Sequence, residues 1–271
     1  ADGDANIGAI LAKNGVAYMK TPGAITDYYA DDTRDIEGRS VLLHPDAGSY
    51  TLEVNGADVA SPVSGSHSLQ IDVGEGGLGI LTRGELLIAS GDRLPLDTIM
   101  SEREITVWAE EDIVNAVGES GSSYLETGMG PANIVSGPFS ITSRNGAIGL
   151  DDQPIVVAQW GDFPLVAHAR DDIWIKDIVG AVEIGDVTST TGMIDLTAAR
   201  GWLTYHRTAD KILSAESIGL HAGLGWMGIA LTPDSDAAPT DGDQLQVALD
   251  GGGIAGSAPD FIRINSPGDL P

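Results

Sequence analysis

The sequence predicts an all-β protein, specifically a right-handed parallel β-helix (a β-solenoid) forming one elongated domain. Three observations carry that expectation. A short pattern recurs five times along the chain, glycine turns are repeatedly followed by period-two alternation, and 36 glycines stand beside only three phenylalanines in 271 residues. Repeating units this small cannot bury an apolar face alone and must use their neighbours'. Abundant glycine, with Asp outnumbering the strong helix formers in the loops, favours many short strands and tight turns.

The elements follow in chain order. Gly15 to Ile25 lines up with Gly192 to Leu203, each with a second glycine eight or nine residues after the first (Gly23 and Gly201). The recurring pattern is an aliphatic residue, a small residue two positions on, then an alternating aliphatic pair. It first appears as Ile36-Glu-Gly38 with Val41-Leu-Leu43. Ile71 to Ile88 follows the same plan less cleanly. Ile99-Met-Ser101 with Ile105-Thr-Val107 is the second copy, and Ile134-Val-Ser136 with Phe139-Ser-Ile141 the third. Ile178-Val-Gly180 with Val182-Glu-Ile184, and Ile212-Leu-Ser214 with Ile218-Gly-Leu220, complete the set. The last four copies start 35, 44 and 34 residues apart, as fixed strands joined by loops of varying length would. Asn145-Gly146-Ala-Ile148-Gly-Leu150 and Thr191-Gly192-Met-Ile194-Asp-Leu196 each read as a turn and a strand with one buried face, and Gly225 to Leu231 is a looser copy. Two stretches also fit helical spacing: Ser101 to Val117, through Ile105, Trp108, Ile113 and Val117, and Thr208 to Ile218. Both overlap repeat positions, so strand is the expectation for each. Pro233 to Gly242 reads as a surface loop. The repeat domain spans 1–257, and 258–271, with three prolines, is a tail or a last partial coil. The whole makes about ten coils.

Forty acidic residues against fourteen basic ones give a net charge of −26. Such a chain repels nucleic acid and anionic membrane surfaces, and it suits high salt, divalent cations, or neutral or cationic sugars. There is no cysteine, hence no disulfide, thiolate metal site or cysteine nucleophile. No run reaches the roughly 20 apolar residues that span a bilayer, so membrane insertion is not expected. Ala1-Asp-Gly-Asp4 has neither an initiator Met nor a signal-peptide pattern, which predicts a chain processed or excised from a longer one.

Asp177 to Ala198 and Lys211 to Ala222 resemble the β-helical repeats of filamentous-haemagglutinin-like adhesins and other giant bacterial surface proteins. The resemblance covers about two thirds of the chain and is specific to an architecture, because such repeats are degenerate. No sign of the N-terminal secretion domain of those adhesins is seen. What the resemblance implies is an extracellular or cell-surface rod whose work is reach, adhesion or self-assembly. Independently of it, an open β-helix exposes strand edges at both ends, and neither terminus carries an amphipathic cap. The expected partner is therefore the chain itself, stacked end to end, or the rest of a longer solenoid.

Candidate sites are few. Asp234, Asp236, Asp241 and Asp243 form two Asp-x-Asp pairs in one proline-bounded loop, a carboxylate cluster of the kind Ca²⁺ prefers, although the spacing is not that of an EF-hand. Asp151-Asp152 and Asp171-Asp172 invite comparison with pectinase-like β-helices, which cleave sugars with one carboxylate as acid and one as base. The Asn-Thr-Asp and Gly-His-Gly motifs of such enzymes are missing, and turn residues between coils are the simpler reading. His206-Arg207 beside Tyr205 reads as a polar outer face. His44 and His221 stand eight and nine residues after their leading isoleucines, which favours a structural role. The tryptophans at 108, 160, 174, 202 and 226 are expected mainly to pack. No Ser-His-Asp order, zinc triad or phosphate-cradling loop is legible.

The function expected is a non-enzymatic structural or adhesive protein, a segment of a bacterial surface fibre or matrix filament, with surface glycans and Ca²⁺ as candidate partners. A viral or phage fibre or spike that binds or depolymerises host polysaccharide through Asp151, Asp152, Asp171 and Asp172 is the alternative. The charge alone also fits a halophile's capsid or envelope component.

Overall fold

Alternation in the sequence becomes alternation of burial in space. In the computed structural model Ile105 to Ala109 and Phe139 to Ser143 each place every second side chain inside. The structure describes residues 3–28, 34–57, 67–117, 131–161, 163–205, 213–223, 245–249, 253–258 and 264–265. Among them there is no helix. The strands are β1 (Ala5–Ile7), β2 (Ile10–Thr21), β3 (Ile25–Asp27), β4 (Ile36–Pro45), β5 (Tyr50–Val54), β6 (His67–Thr82), β7 (Leu86–Ser90) and β8 (Leu94–Ser101). Then come β9 (Ile105–Ala109), β10 (Ile113–Asn115), β11 (Ile134–Ser136), β12 (Phe139–Ser143), β13 (Ile155–Gln159), β14 (Pro164–Ala169), β15 (Ile173–Asp177) and β16 (Val182–Ser189). The remainder are β17 (Met193–Ala198), β18 (Leu203–Tyr205), β19 (Leu213–Ala215), β20 (Ser217–Ala222), β21 (Leu245–Leu249), β22 (Ile254–Ser257) and β23 (Ile264–Asn265). The stretch Ser101 to Val117 thus contains strands β9 and β10. Leu213 to Ile218 lies in β19 and β20, while 208–212 fall outside the described residues.

Every ladder is parallel, and most strands pair with the second strand along the chain, as β7 does with β9, β12 with β14, and β15 with β17. Besides a run of partners through Ile80, Ile99, Ile134, Val157, Asp177, Ala198 and Ala222, two further stacks result. In one, Leu52, Ile88, Val107, Ile141, Ala167, Val187, Leu213 and Val247 are successive register partners. In the other, Leu94, Ile113, Ile148, Ile173, Ile194, Ile218 and Ile254 follow one another. Leu52 to Leu213 in the first ladder, and Leu94 to Ile218 in the second, are all buried. They belong to a single hydrophobic cluster that runs from Ile7 to Leu220. Each buried Ile or Leu contributes about 1.5–3 kcal/mol, so stacking like on like is the main adhesive of the fold. Strand pairing continues into the 258–271 segment, where Ile264 pairs with Leu245.

Register also tests the repeat. Ile99 pairs with Ile134, Ile105 with Phe139, and Val107 with Ile141, so the second and third copies lie on neighbouring rungs as aligned. The fourth does not. Val157 is the partner of Ile134 and Asp177 the partner of Val157, which leaves Ile178 one residue past its strand. In the fifth copy, Ile218 and Leu220 pair with Ile194 and Leu196 in the other stack. An extra rung, β13 to β15, stands where the sequence shows only a longer spacing.

The small residue of the pattern has a defined task at the corner. Ser101 Oγ donates to the Gly84 carbonyl (2.6 Å) and accepts from the Arg103 N–H (2.8 Å). Thr82 does the same with the Gly48 carbonyl and the Gly84 N–H. Ser143 and Ser189 repeat the device at another corner, donating to Glu111 and Asp171 carbonyls and accepting from Gly146 and Gly192. Each hydroxyl ties its own turn to the turn one rung before. Ser101 is fully buried, so Ser101→Ala leaves two polar groups short and is expected to cost about 1–3 kcal/mol. The urea midpoint against wild type measures it, and an unchanged midpoint would remove the hydroxyl from this role.

Candidate functional site

The acidic pairs come first. Asp172 Oδ1 accepts from the Met193 N–H at 2.8 Å, and a Cβ on Gly192 would lie 2.4 Å from that oxygen. Asp112 does the same for the Ala147 N–H beside Gly146, and Asp4 for the Ala24 N–H beside Gly23. Three copies of one Asp-over-Gly corner make Asp172 a structural acceptor. Asp171 accepts from the Thr191 hydroxyl (3.1 Å) with Arg170 Nε at 4.0 Å. Asp151 and Asp152 are exposed in a turn closed by mutual Leu150 and Gln153 backbone bonds of 3.1 Å. No group of three or more His, Asp or Glu residues among the described residues is arranged to hold a metal ion. Asp234, Asp236, Asp241 and Asp243 lie outside the described residues, as do His206, Arg207 and Trp226.

A constellation that sequence reading missed stands on the outer face of β17, β20 and β22. His221 Nε2 is 3.2 Å from Asp195 Oδ2, and its Nδ1 is 2.9 Å from Ser257 Oγ. Gly219 makes room for it, since a Cβ there would sit 2.4 Å from Asp195 Oδ2. Burial raises the Asp195 carboxyl above its ordinary value; His221 and Thr197 oppose the shift, and Asp151 adds to it. Comparison with protein-family models, curated proteins and solved structures finds no match. A hydrogen-bonded Ser-His-Asp row is how a serine hydroxyl is activated. Here Ser257 is exposed and His221 partly so, and water competes for the bonds. The row acts as a clip across three rungs.

Asp177 is one of three buried aspartates among the described residues, with Asp35 and Asp97. It is 1% exposed and accepts from the N–H groups of Val179 (2.8 Å), Gly180 (2.9 Å) and Gln159 (3.2 Å). Burial still outweighs these donors and lifts its carboxyl above the ordinary range. A carboxyl whose folded value is raised stabilises the fold at acid pH, and that contribution is lost as pH rises through the raised value. Asp177→Asn is therefore expected to lose less stability, or gain more, relative to wild type at pH 7 than at pH 4. Denaturant titrations at both values read the difference, and a pH-independent difference would contradict the assignment.

The two histidines that sequence spacing equates have unrelated settings. His44 pairs in register with Lys20, and its buried Nδ1 has no hydrogen-bond partner. Burial and Lys20 lower its pKa, against Asp46. Tyr50, fully buried, accepts from the Ile25 N–H (2.8 Å) and donates to the Ala47 carbonyl (2.9 Å). Burial pushes its hydroxyl up to about 12. Trp160 packs against the small Ala132, Val135 and Ala158 cluster, whereas Trp202 is 42% exposed.

Proposed function

We propose that this chain is a segment of an extracellular structural or adhesive rod, its stacked parallel strands being the coils of a right-handed β-helix. The supporting observation is the ladder from Leu52 to Val247, in which every step joins neighbouring rungs in parallel register. A body held together by nearest-neighbour stacking gains length by adding rungs, which suits reach more than enclosure of a reaction centre. The acidic surface keeps rods apart in low salt and offers carboxylates to bridging cations, including the aspartates of the 233–242 region and its margin. Among the described residues β2 pairs only with β4 and β22 only with β20, and association through such edges makes a filament of copies or the continuation of a longer rod.

Negative-stain electron microscopy of the purified chain, with and without millimolar calcium, tests this reading. Rods that join end to end, and do so more readily with calcium, are expected. Discrete compact particles that release reducing ends from a capsular polysaccharide would replace it with the depolymerase reading.

A further inference from the structure

Three successive strands break register at the same place. Three residues lie between Ala12 and Val16 of β2, and three between Val73 and Gly77 of β6, against the single Arg39 between Gly38 and Ser40 of β4, so β2 and β6 each carry two extra residues there. Bulges on both neighbours of β4 flank a groove, and bulges are a common means of re-aiming side chains towards a ligand. Two adjoining cavities of about 480 and about 590 Å³ occupy this groove and share Asn55, Val73, Gly74 and Asp92 in their walls. Both volumes fall within the range of small-molecule sites.

Backbone packs closely beneath the groove. A Cβ on Gly74 would approach the Arg39 backbone to 3.2 Å, and Gly77, at φ +92°, would meet Ala116 at 2.8 Å. Asn55 stands between the cavities with φ +49°, the sole non-glycine residue with positive φ among the described residues. Its Oδ1 accepts from the Val73 N–H at 2.9 Å, which holds the start of the bulge in place.

The lining sets the chemistry. Four of the chain's fourteen basic residues, Lys13, Arg34, Arg39 and Arg93, face this one groove. Glu37, Asp72, Glu75 and Asp92 face it too. On a protein of net charge −26 the groove is locally balanced. Arg34 and Lys13 are already engaged with Glu37, and Arg34 also with Asp72. Arg93, Glu75 and Gln153 are exposed, so their polar ends can serve a ligand. Polyanions are disfavoured by the carboxylates. An added peptide strand is disfavoured because β4 is already paired on both sides, by β2 and β6, and β6 by β4 and β8. Alternating guanidinium, carboxylate and amide groups match a ligand whose every polar group both donates and accepts, and sugar hydroxyls do so.

We propose that this groove binds a neutral oligosaccharide, with Arg93 and Gln153 donating to its hydroxyls and Glu75 accepting from them. The inference adds a ligand site to the rod and is independent of whether copies associate, so its failure leaves the microscopy result untouched. Maltohexaose, cellohexaose and mannohexaose are titrated separately into the ¹⁵N-labelled chain. At least one should shift amides clustered around Gly74, Asp92, Arg93 and Asn115. Arg93→Ala combined with Glu75→Ala should weaken that binding about tenfold or more while leaving the remaining spectrum in place. Gln153→Ala, in the exposed turn, should weaken it in the same direction and serves if the double variant misfolds. Absence of clustered shifts with all three sugars, unaltered affinity in the variants, or stronger binding of inorganic tripolyphosphate to the same amides would overturn the proposal.

Discussion

Ile173→Asp is expected to abolish cooperative folding. Ile173 has no exposed surface and sits between Ile148 and Ile194 in the second ladder. Removing its side chain forfeits 2–5 kcal/mol or so by cavity formation. A carboxylate in its place adds a desolvation penalty of several kcal/mol, because the neighbouring ladder residues are aliphatic and offer no hydrogen bond. The sum approaches or exceeds the whole stability of an ordinary domain, about 5–15 kcal/mol. Ile173→Val, which keeps the ladder and loses one methylene, should cost only about 1 kcal/mol. Urea melts followed by circular dichroism separate the two. A cooperative transition in the aspartate variant close to wild type would show that Ile173 is not interior.

Gly84→Ala carries the second large effect. The turn holding Gly84 lies directly on the turn holding Gly48, and an added Cβ would stand 2.2 Å from the Gly48 carbonyl oxygen and 2.5 Å from its carbon. Backbone, not a flexible side chain, has to yield, so neighbouring rungs must part at that corner. A loss of about 3 kcal/mol is expected. Gly180→Ala is the matched control, because nothing lies within 4 Å of a Cβ there. Its expected change is within about 0.5 kcal/mol. Equal melting behaviour of the two variants would mean that the corners do not stack as described.

Strands were legible because alternation is a property of neighbours in sequence, as at Ile105 to Ala109. Register was legible where consecutive copies of the pattern are themselves paired, as Ile99 and Ile134 are, and was lost at Ile178 because β13 intervenes between β11 and β15. The small residue at Ser101 and Ser136 was visible as a constraint on size. Its hydroxyl's work was not, since the acceptors, Gly84 and Arg103 carbonyls, belong to earlier turns. Asp172 resembles a displayed acid in sequence and is a corner acceptor in space. Asp195, His221 and Ser257 are 26 and 36 residues apart, so no motif announces them, and only strand pairing brings them into line. The groove was hidden for a related reason: a bulge is a mismatch between two strands and cannot be read from one. Nothing in the sequence separates the 233–242 aspartates from an acidic loop, and they lie outside the described residues.

One stack of strands running through the molecule is the claim on which the account rests, and the absence of native cysteine makes it directly measurable. Glu53, Ala89, Trp108, Thr142, His168, Thr188 and Ser214 are successive partners in register. With strands about 4.8 Å apart, cysteine-linked spin labels at Glu53 and Thr188 should lie about 24 Å apart. Moving the second label to Ser214 should lengthen the distance by about one strand spacing, to about 29 Å, with no broadening. Electron–electron dipolar spectroscopy reads both. A distance to Ser214 equal to or shorter than that to Thr188 would contradict the single stacked column.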